Sequence, residues 1–329
     1  MAKLAYLLLC HTAPQAVIDQ VARLTAAGDC VALHFDRSAP ARDFALIRKA
    51  LAGNPAVTFA RRRIRCGWGE WSLVAATLQC LHAALRAFPD ATHLYLISGD
   101  CSPIKTAEHI RARLDARDED LIESVDFHTS GWIRTGLRAE RLIYRHWFNE
   151  RRQPRLFYGA LDLQRRLGLA RSMPRGLEMR IGSQWWCLRR TTAEAVLALC
   201  ARRPELIRFF RTTWIPDECF FQTLVHHLVP RSQIAGRAPT FHIFSDYGLP
   251  VTFHADHHDL LLGQDHLFAR KIASAALKAR LGALYAATGQ SFAPAADAAR
   301  LYALQAGQGR RGHRTPPRAW EEGTSLGRD

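Results

Sequence analysis

Leu4–Cys10 (LAYLLLC), Gln15–Ala27 and Cys30–Phe35 (CVALHF) decide the architecture. The first is a continuous apolar run, which suits a strand buried on both faces. His-Thr-Ala-Pro follows as a loop, and Val17, Ile18, Val21 and Leu24 then recur at helical spacing. Gly28-Asp29 breaks the helix, and the second apolar run is closed by Asp36. Strand, helix, strand within forty residues is a β-α-β unit; its crossover makes the two strands parallel, so the chain is of the α/β class.

Further along, the Trp68-Gly69 turn precedes a helical pattern from about Ser72 to Ala87. His93–Gly99 (HLYLISG) is another buried strand ending in a polar loop, and the next helix starts near Thr106. From Asp126 to Gly176 the composition turns to arginine and aromatics (GWIRTGLRAERLIYRHWFNERRQPRLFYG), which marks an insertion rather than further β-α units. GSQWWCLRR (182–190) resumes a strand, followed by a helix from Thr192. Helical periodicity returns at Glu218–His227 and again at Leu267–Ala287. Gln308–Asp329, rich in Gly, Arg and Pro, is expected to be a disordered tail.

A chain of 329 residues that is 48% hydrophobic can bury a sizeable core. Its formal charge of +15 favours anionic partners, such as nucleic acid, lipid surfaces or phosphorylated substrates. The arginines are scattered, however, and no nucleic-acid-binding signature accompanies them, so no nucleic-acid partner is expected. Forty arginines against five lysines (Lys3, Lys49, Lys105, Lys271, Lys278), with abundant alanine, point to a GC-rich bacterial coding sequence. Eight cysteines stand singly, without C-x-x-C spacing, and read as reduced, mostly buried thiols. The apolar start is too short for a signal-peptide core or a membrane span, so a cytoplasmic chain is expected, with peripheral contact of the basic surface with the inner membrane left open.

In an open α/β sheet the ligand crevice lies at the carboxyl ends of the strands. This sequence places His11, Asp36 and Ser98-Gly99-Asp100 there, each of which could equally be an ordinary loop residue or cap. PDECFFQTL (216–224) puts Glu218 in the first turn of an expected helix, where the dipole would keep a carboxylate ionised and able to accept a proton; a plain helix-start carboxylate fits as well. LFARKI (267–272) offers adjacent Arg270 and Lys271, either a solvated pair or fixed cations for a departing diphosphate. For a metal, Asp118 and Asp120 in LDARDED look like a solvated helix end, and His254, His257 and His258 in FHADHHD fit no closed zinc pattern. No metal is expected.

Taken together, the blocks AYLLLCHTAP with ALHFD, RCGWGEWSLV, LYLISGDCSPIKT, GSQWWCLRR and PDECFFQTL, followed by LFARKI, resemble one glycosyltransferase family. It is that of the core-2/I-branching β-1,6-N-acetylglucosaminyltransferases and the peptide O-xylosyltransferases. The blocks occur in order between about residues 4 and 272. The resemblance implies a GT-A-like fold, with a Rossmann-like nucleotide-binding half and a mixed central sheet flanked by helices, and inverting transfer without a metal. On the matching motifs, Glu218 resembles the catalytic base and Arg270 with Lys271 the diphosphate-stabilising cations. Glu123 in DLIES resembles an acceptor-binding carboxylate, and Trp68 and Asp100 sit in matching loops near donor and acceptor.

The expectation is therefore a glycosyltransferase domain over residues 1–290. Residues 1–125 form the nucleotide-sugar half, 126–180 the insertion, and 181–290 the catalytic and acceptor half, with 291–329 as an extension. His11, Asp36, Trp68, Arg270 and Lys271 are assigned to the UDP-sugar, Asp100, Glu123 and Trp185 to the acceptor, and Glu218 to catalysis. GlcNAc from UDP-GlcNAc to a glycan hydroxyl is the preferred transfer, with UDP-xylose and a protein acceptor as the alternative; no cofactor is expected. Gln184 stands where the xylosyltransferases carry an acidic residue, and the insertion does not align with the animal acceptor region. A non-catalytic carbohydrate- or nucleic-acid-binding protein is the reading of another class; retention of Glu218 with Arg270 and Lys271 argues against it, since binding alone needs no base.

Overall fold

The computed structural model describes residues 1–133, 136–244, 250–290 and 292. Ten strands are present among them: β1 (Leu4–Cys10), β2 (Cys30–Phe35), β3 (Val57–Phe59), β4 (His93–Ser98), β5 (Ser102–Pro103), β6 (Val125–Asp126), β7 (Arg180–Ile181), β8 (Cys187–Arg189), β9 (Thr240–Phe241) and β10 (Phe268–Ala269). The central sheet has the order β3-β2-β1-β4-β8. Its first four strands are parallel, with Leu7 set between Ala32 and Leu96, while β8 runs antiparallel at the edge, so the sheet is mixed. β1 and β4 are buried on both faces, which is why they read as unbroken apolar runs.

Helices Pro14–Ala26 and Trp71–Ala87 cover the sheet. The first buries Val17, Gln20, Val21 and Leu24, and the second buries Val74, Thr77, Cys80, Leu81 and Ala84 at three-to-four-residue intervals. Thr106 caps the helix Ala107–Asp115, its hydroxyl accepting from the His109 N–H at 3.1 Å. All eight cysteines are free thiols, five of them buried.

Three readings of the sequence need correction. Leu267–Ala287 is not one helix: Phe268 enters β10 because its ring packs against Tyr6 and Tyr95, with centroids 5.4 and 4.9 Å away. The helix begins only at Ala275, after Ser274 accepts from the Leu277 N–H. In GSQWWCLRR, only Cys187–Arg189 pairs as a strand beside β4. Asp120, expected at a solvated helix end, is fully buried: it accepts from the Arg189 N–H at 2.7 Å, Arg189 Nη2 at 2.9 Å and Thr192 Oγ1 at 2.7 Å, so its charge is neutralised inside the core.

β5, β10 and β9 form a second small sheet over a separate apolar cluster that includes Ile104, Phe253, Leu260, Leu277 and Leu281. The helix Ala275–Ala286 ties back to the first half of the chain through Tyr285, whose hydroxyl donates to Asp29 and lies 2.8 Å from that of Tyr6. Arg111 donates to the other oxygen of Asp29 at 2.7 Å. The tail expected from about residue 308 lies outside the described residues. Among the described residues no helix is long and apolar enough to cross a membrane.

Candidate active site

Glu218 is not in the first turn of the α-helix, as its sequence context suggested. Pro216–Glu218 is a separate 3-10 turn, and the α-helix runs Phe220–Leu228. Ile215, just before the turn, sits in the left-handed region with φ 52° and ψ 57°. That conformation costs a β-branched residue about 1–3 kcal/mol, which the surroundings must hold in place. They do so through the Trp68-Gly69 turn: Ile215 N–H donates to the Gly69 carbonyl at 2.9 Å, and Trp68 meets Trp214 edge-on at 5.9 Å. Gly69 itself has φ +70°, and a Cβ there would come within 3.3 Å of both Ile215 and Trp214, so glycine meets both the conformation and the close approach.

The Glu218 carboxylate accepts from Arg141 Nη1 at 2.9 Å, its side chain remaining 22% exposed. Burial pushes its pKa up to about 7; the attraction of Arg141 acts against that rise, and the nearby carboxylates Asp217 and Glu123 reinforce it. The helix dipole therefore does not set its protonation, and the group is poised near neutrality. Asp217 is raised to about 6, again by burial first. Arg141 comes from the arginine-rich insertion, and its guanidinium also lies over Trp214 at 5.0 Å.

Glu123 stands beside this pair. Its Oε2 accepts from the Ser183 N–H at 2.8 Å, while burial raises its pKa against that hydrogen bond and one from the Trp132 side chain. Gly182 makes the close approach of these segments achievable: its N–H donates to the Glu218 carbonyl at 2.9 Å, and a Cβ would fall 2.2 Å from the Glu123 carbonyl oxygen. Two residues past Ser183, Trp185 is buried and the Arg270 guanidinium lies 4.4 Å from its ring centre. Lys271 Nζ lies 3.9 Å from Asp100 Oδ2, and the Asp100 carbonyl accepts from the Ile272 N–H at 2.9 Å. Glu218, Glu123, Trp185, Arg270, Lys271 and Asp100 are thus linked by a continuous run of contacts.

The residues expected on the donor side divide. Trp68 is 42% exposed, with the Arg151 guanidinium 3.8 Å from its ring centre, and so presents an aromatic edge next to the Glu218 turn. Asp36 has its carboxylate engaged, accepting from the Ser38 N–H at 2.6 Å and the Cys66 N–H at 2.9 Å. It thereby anchors the RCGWGEW segment to the end of β2. His11 lies exposed at the end of β1, apart from these contacts.

Sequence reasoning missed Arg141, Asp217, Trp214 and Asn149. Asn149 Nδ2 donates to Glu70 Oε1 at 2.6 Å and to the Trp68 carbonyl at 3.1 Å, which joins the insertion to the RCGWGEW loop. The arginine- and aromatic-rich composition of the insertion was a signal, but it did not single out one arginine among many. Among the described residues, no group of three or more His, Cys, Asp or Glu side chains could hold a metal ion. Asp118 pairs with Arg189 at 2.8 Å, and His258 lies against Asp259 at 2.9 Å.

The fold is a mixed α/β sheet flanked by helices, of the GT-A-like glycosyltransferase type, and it carries a partly exposed Glu218 carboxylate held by Arg141. The chain belongs to the core-2/I-branching enzyme family, whose model matches residues 4–246. A second model, of a family of unknown function, matches residues 270–329. The chain is also 25% identical over 180 residues to a protein named xylosyltransferase oxt from Drosophila pseudoobscura pseudoobscura. That match covers 53% of this chain and 19% of the relative, so the chain spans about a fifth of that protein's length.

Proposed function

We propose that the protein transfers a sugar from a UDP-sugar to an acceptor hydroxyl with inversion, GlcNAc to a glycan being the preferred transfer. The observation that carries this is the Arg141–Glu218 pair: a carboxylate raised to about 7, partly exposed, and held at 2.9 Å by a buried cation. Glu218 takes the proton of the acceptor hydroxyl as it attacks the anomeric carbon, and the bond to the diphosphate breaks on the opposite face. Glu123, Asp100 and Trp185 orient the acceptor, Trp185 also holding Arg270 over its ring. Arg270 and Lys271 offset the charge that builds on the departing UDP, a role in which fixed cations act most strongly as the bond breaks. Trp68, Asp36 and His11 border the donor, Asp36 through the loop it anchors.

Metal independence follows from the same reading. The Asp118–Asp120 pair is committed to Arg189 and Thr192, and Arg270 with Lys271 supply positive charge from the chain itself. Xylosyl transfer from UDP-xylose is a second reading, supported by the similarity to the xylosyltransferase and by the strings FFQT (220–223) and FARK (268–271), which resemble the xylosyltransferases more than the N-acetylglucosaminyltransferases. Purified protein offered a panel of UDP-sugars and acceptors, with and without EDTA, tests all of this. UDP release with one donor and a product of the matching mass is expected; release that needs added manganese or magnesium would defeat the metal-free part, and no turnover of any UDP-sugar would defeat the whole.

A further inference from the structure

Among the described residues, most of the exposed large apolar side chains outside the site lie on the helix Pro154–Arg166 and the segments beside it. Phe157, Leu161 and Gln164 are buried against the body of the protein. Leu156, Leu163 and Leu167 recur at intervals of seven and four, so they share a second stripe along the helix. That stripe is exposed by 50, 57 and 60%. Leu169 in the following turn is also exposed, as is Trp147, the neighbour of His146, whose ring stacks on Phe157 at 5.0 Å. Single exposed leucines need no explanation, but an aligned row of them does.

The surrounding charge is predominantly positive. Between residues 138 and 175 stand ten arginines, no lysine and three carboxylates, Glu140, Glu150 and Asp162. Arg141 and Arg171 turn inward, to Glu218 and to Thr212 and Thr213. Arg165 pairs with Glu140 and Asp162. Arg152, Arg155 and Arg166 are exposed on or beside the leucine row.

We propose that this helix docks the protein on an anionic lipid bilayer, lying in the plane of the surface. Leu156, Leu163 and Leu167 would enter the headgroup boundary and Arg152, Arg155 and Arg166 would meet the headgroups. An apolar row bordered by arginines has the chemistry of an interfacial helix. A second copy of the chain would bring the same arginines face to face, and like charges oppose that pairing. A nucleic acid would satisfy the arginines and leave the leucines in water. The proposal stands independently of the sugar-transfer reading.

The test is co-sedimentation of the full chain with phosphatidylcholine vesicles, with and without phosphatidylglycerol. Binding to the anionic vesicles alone is expected, weakened about tenfold or more by Leu163→Gln with Leu167→Gln. Arg155→Gln and Arg166→Gln should each weaken it about fivefold. Glutamine favours helix and the positions are exposed, so the melting temperature should stay unchanged in every variant. Absence of binding, or leucine variants that bind like the wild type, overturns the proposal. So does a dimer in sedimentation equilibrium that the leucine variants dissolve, which would assign the face to a second copy.

Discussion

Arg141 Nη1 and Glu218 Oε2 lie 2.9 Å apart although 77 positions separate them in the chain, so the insertion supplies the counter-charge to the carboxylate of the Pro216–Glu218 turn. Burial alone would drive Glu218 further from ionisation, and Arg141 holds it near neutrality. An opposite charge at this range lowers a carboxylate pKa by about 1–3 units. Arg141→Met should therefore move the acid limb of the pH–rate profile upward by about that amount, and Arg141→Lys should restore part of it. A loss of rate with an unmoved acid limb would show Arg141 to be structural only.

Glu218→Gln keeps the shape and cannot take a proton. Turnover should fall by about two to four orders of magnitude while UDP binding stays near normal. A variant that retains more than about a tenth of the wild-type rate removes Glu218 from the role of base.

The pH dependence has a definite sign. The folded-state pKa of Glu218 is raised from 4.5 to about 7, so folding favours the neutral acid. The associated stability is fully present below the unfolded pKa and is lost as pH rises through about 7, whereas turnover with Glu218 as the proposed base would need the ionised form and should rise over the same interval. Between pH 5 and 9 the stability difference should shift in favour of Glu218→Gln by on the order of 3 kcal/mol. Chemical denaturation of both proteins across that range checks it; parallel curves would place the titrating group elsewhere.

The sheet was legible in the sequence because β1, β2 and β4 are buried on both faces and so appear as unbroken apolar runs with a periodic helix between the first two. The short strands were not, since β7, β9 and β10 hold two residues each and show no period. LFARKI looked helical because the constraint on Phe268 comes from Tyr6 and Tyr95, far away in sequence. The motif PDECFFQTL points to Glu218 but not to its electrostatics. The local signal, an acidic residue ahead of an apolar helix, points to the dipole, whereas burial and Arg141 decide. Asp120 shows the same limit: its string looked solvated because Arg189 and Thr192 lie about seventy positions on.

That burial gives two neighbouring aspartates opposite expected behaviour. Removing one partner of a buried ion pair costs about 3–5 kcal/mol, because the other is left uncompensated, and exposed pairs are worth about 0–1 kcal/mol. Asp120→Ala should therefore strongly destabilise the fold, while Asp118→Ala, with its side chain 76% exposed, should melt like the wild type and stay active in EDTA. An inactive but fully folded Asp118→Ala would return a metal role to this pair.

The cations make the sharpest test of the donor assignment, since a site that works without a metal must offset the charge on departing UDP with its own side chains. Arg270 is fixed by its place over Trp185 and by the backbone bond from its N–H to the Phe241 carbonyl at 2.9 Å. Lys271 faces Asp100 at 3.9 Å, a loose contact that leaves the ammonium able to meet a phosphate oxygen. Arg270→Ala and Lys271→Ala should each lower the rate strongly and weaken UDP, and Trp185→Ala should act in the same direction by freeing Arg270. Were Lys271 only a surface partner of Asp100, its removal would change stability by less than about 0.5 kcal/mol and leave UDP affinity intact. Calorimetric titration of UDP into the three variants, beside their melting temperatures, separates the two roles. Unchanged UDP binding in both cation variants ends the leaving-group assignment.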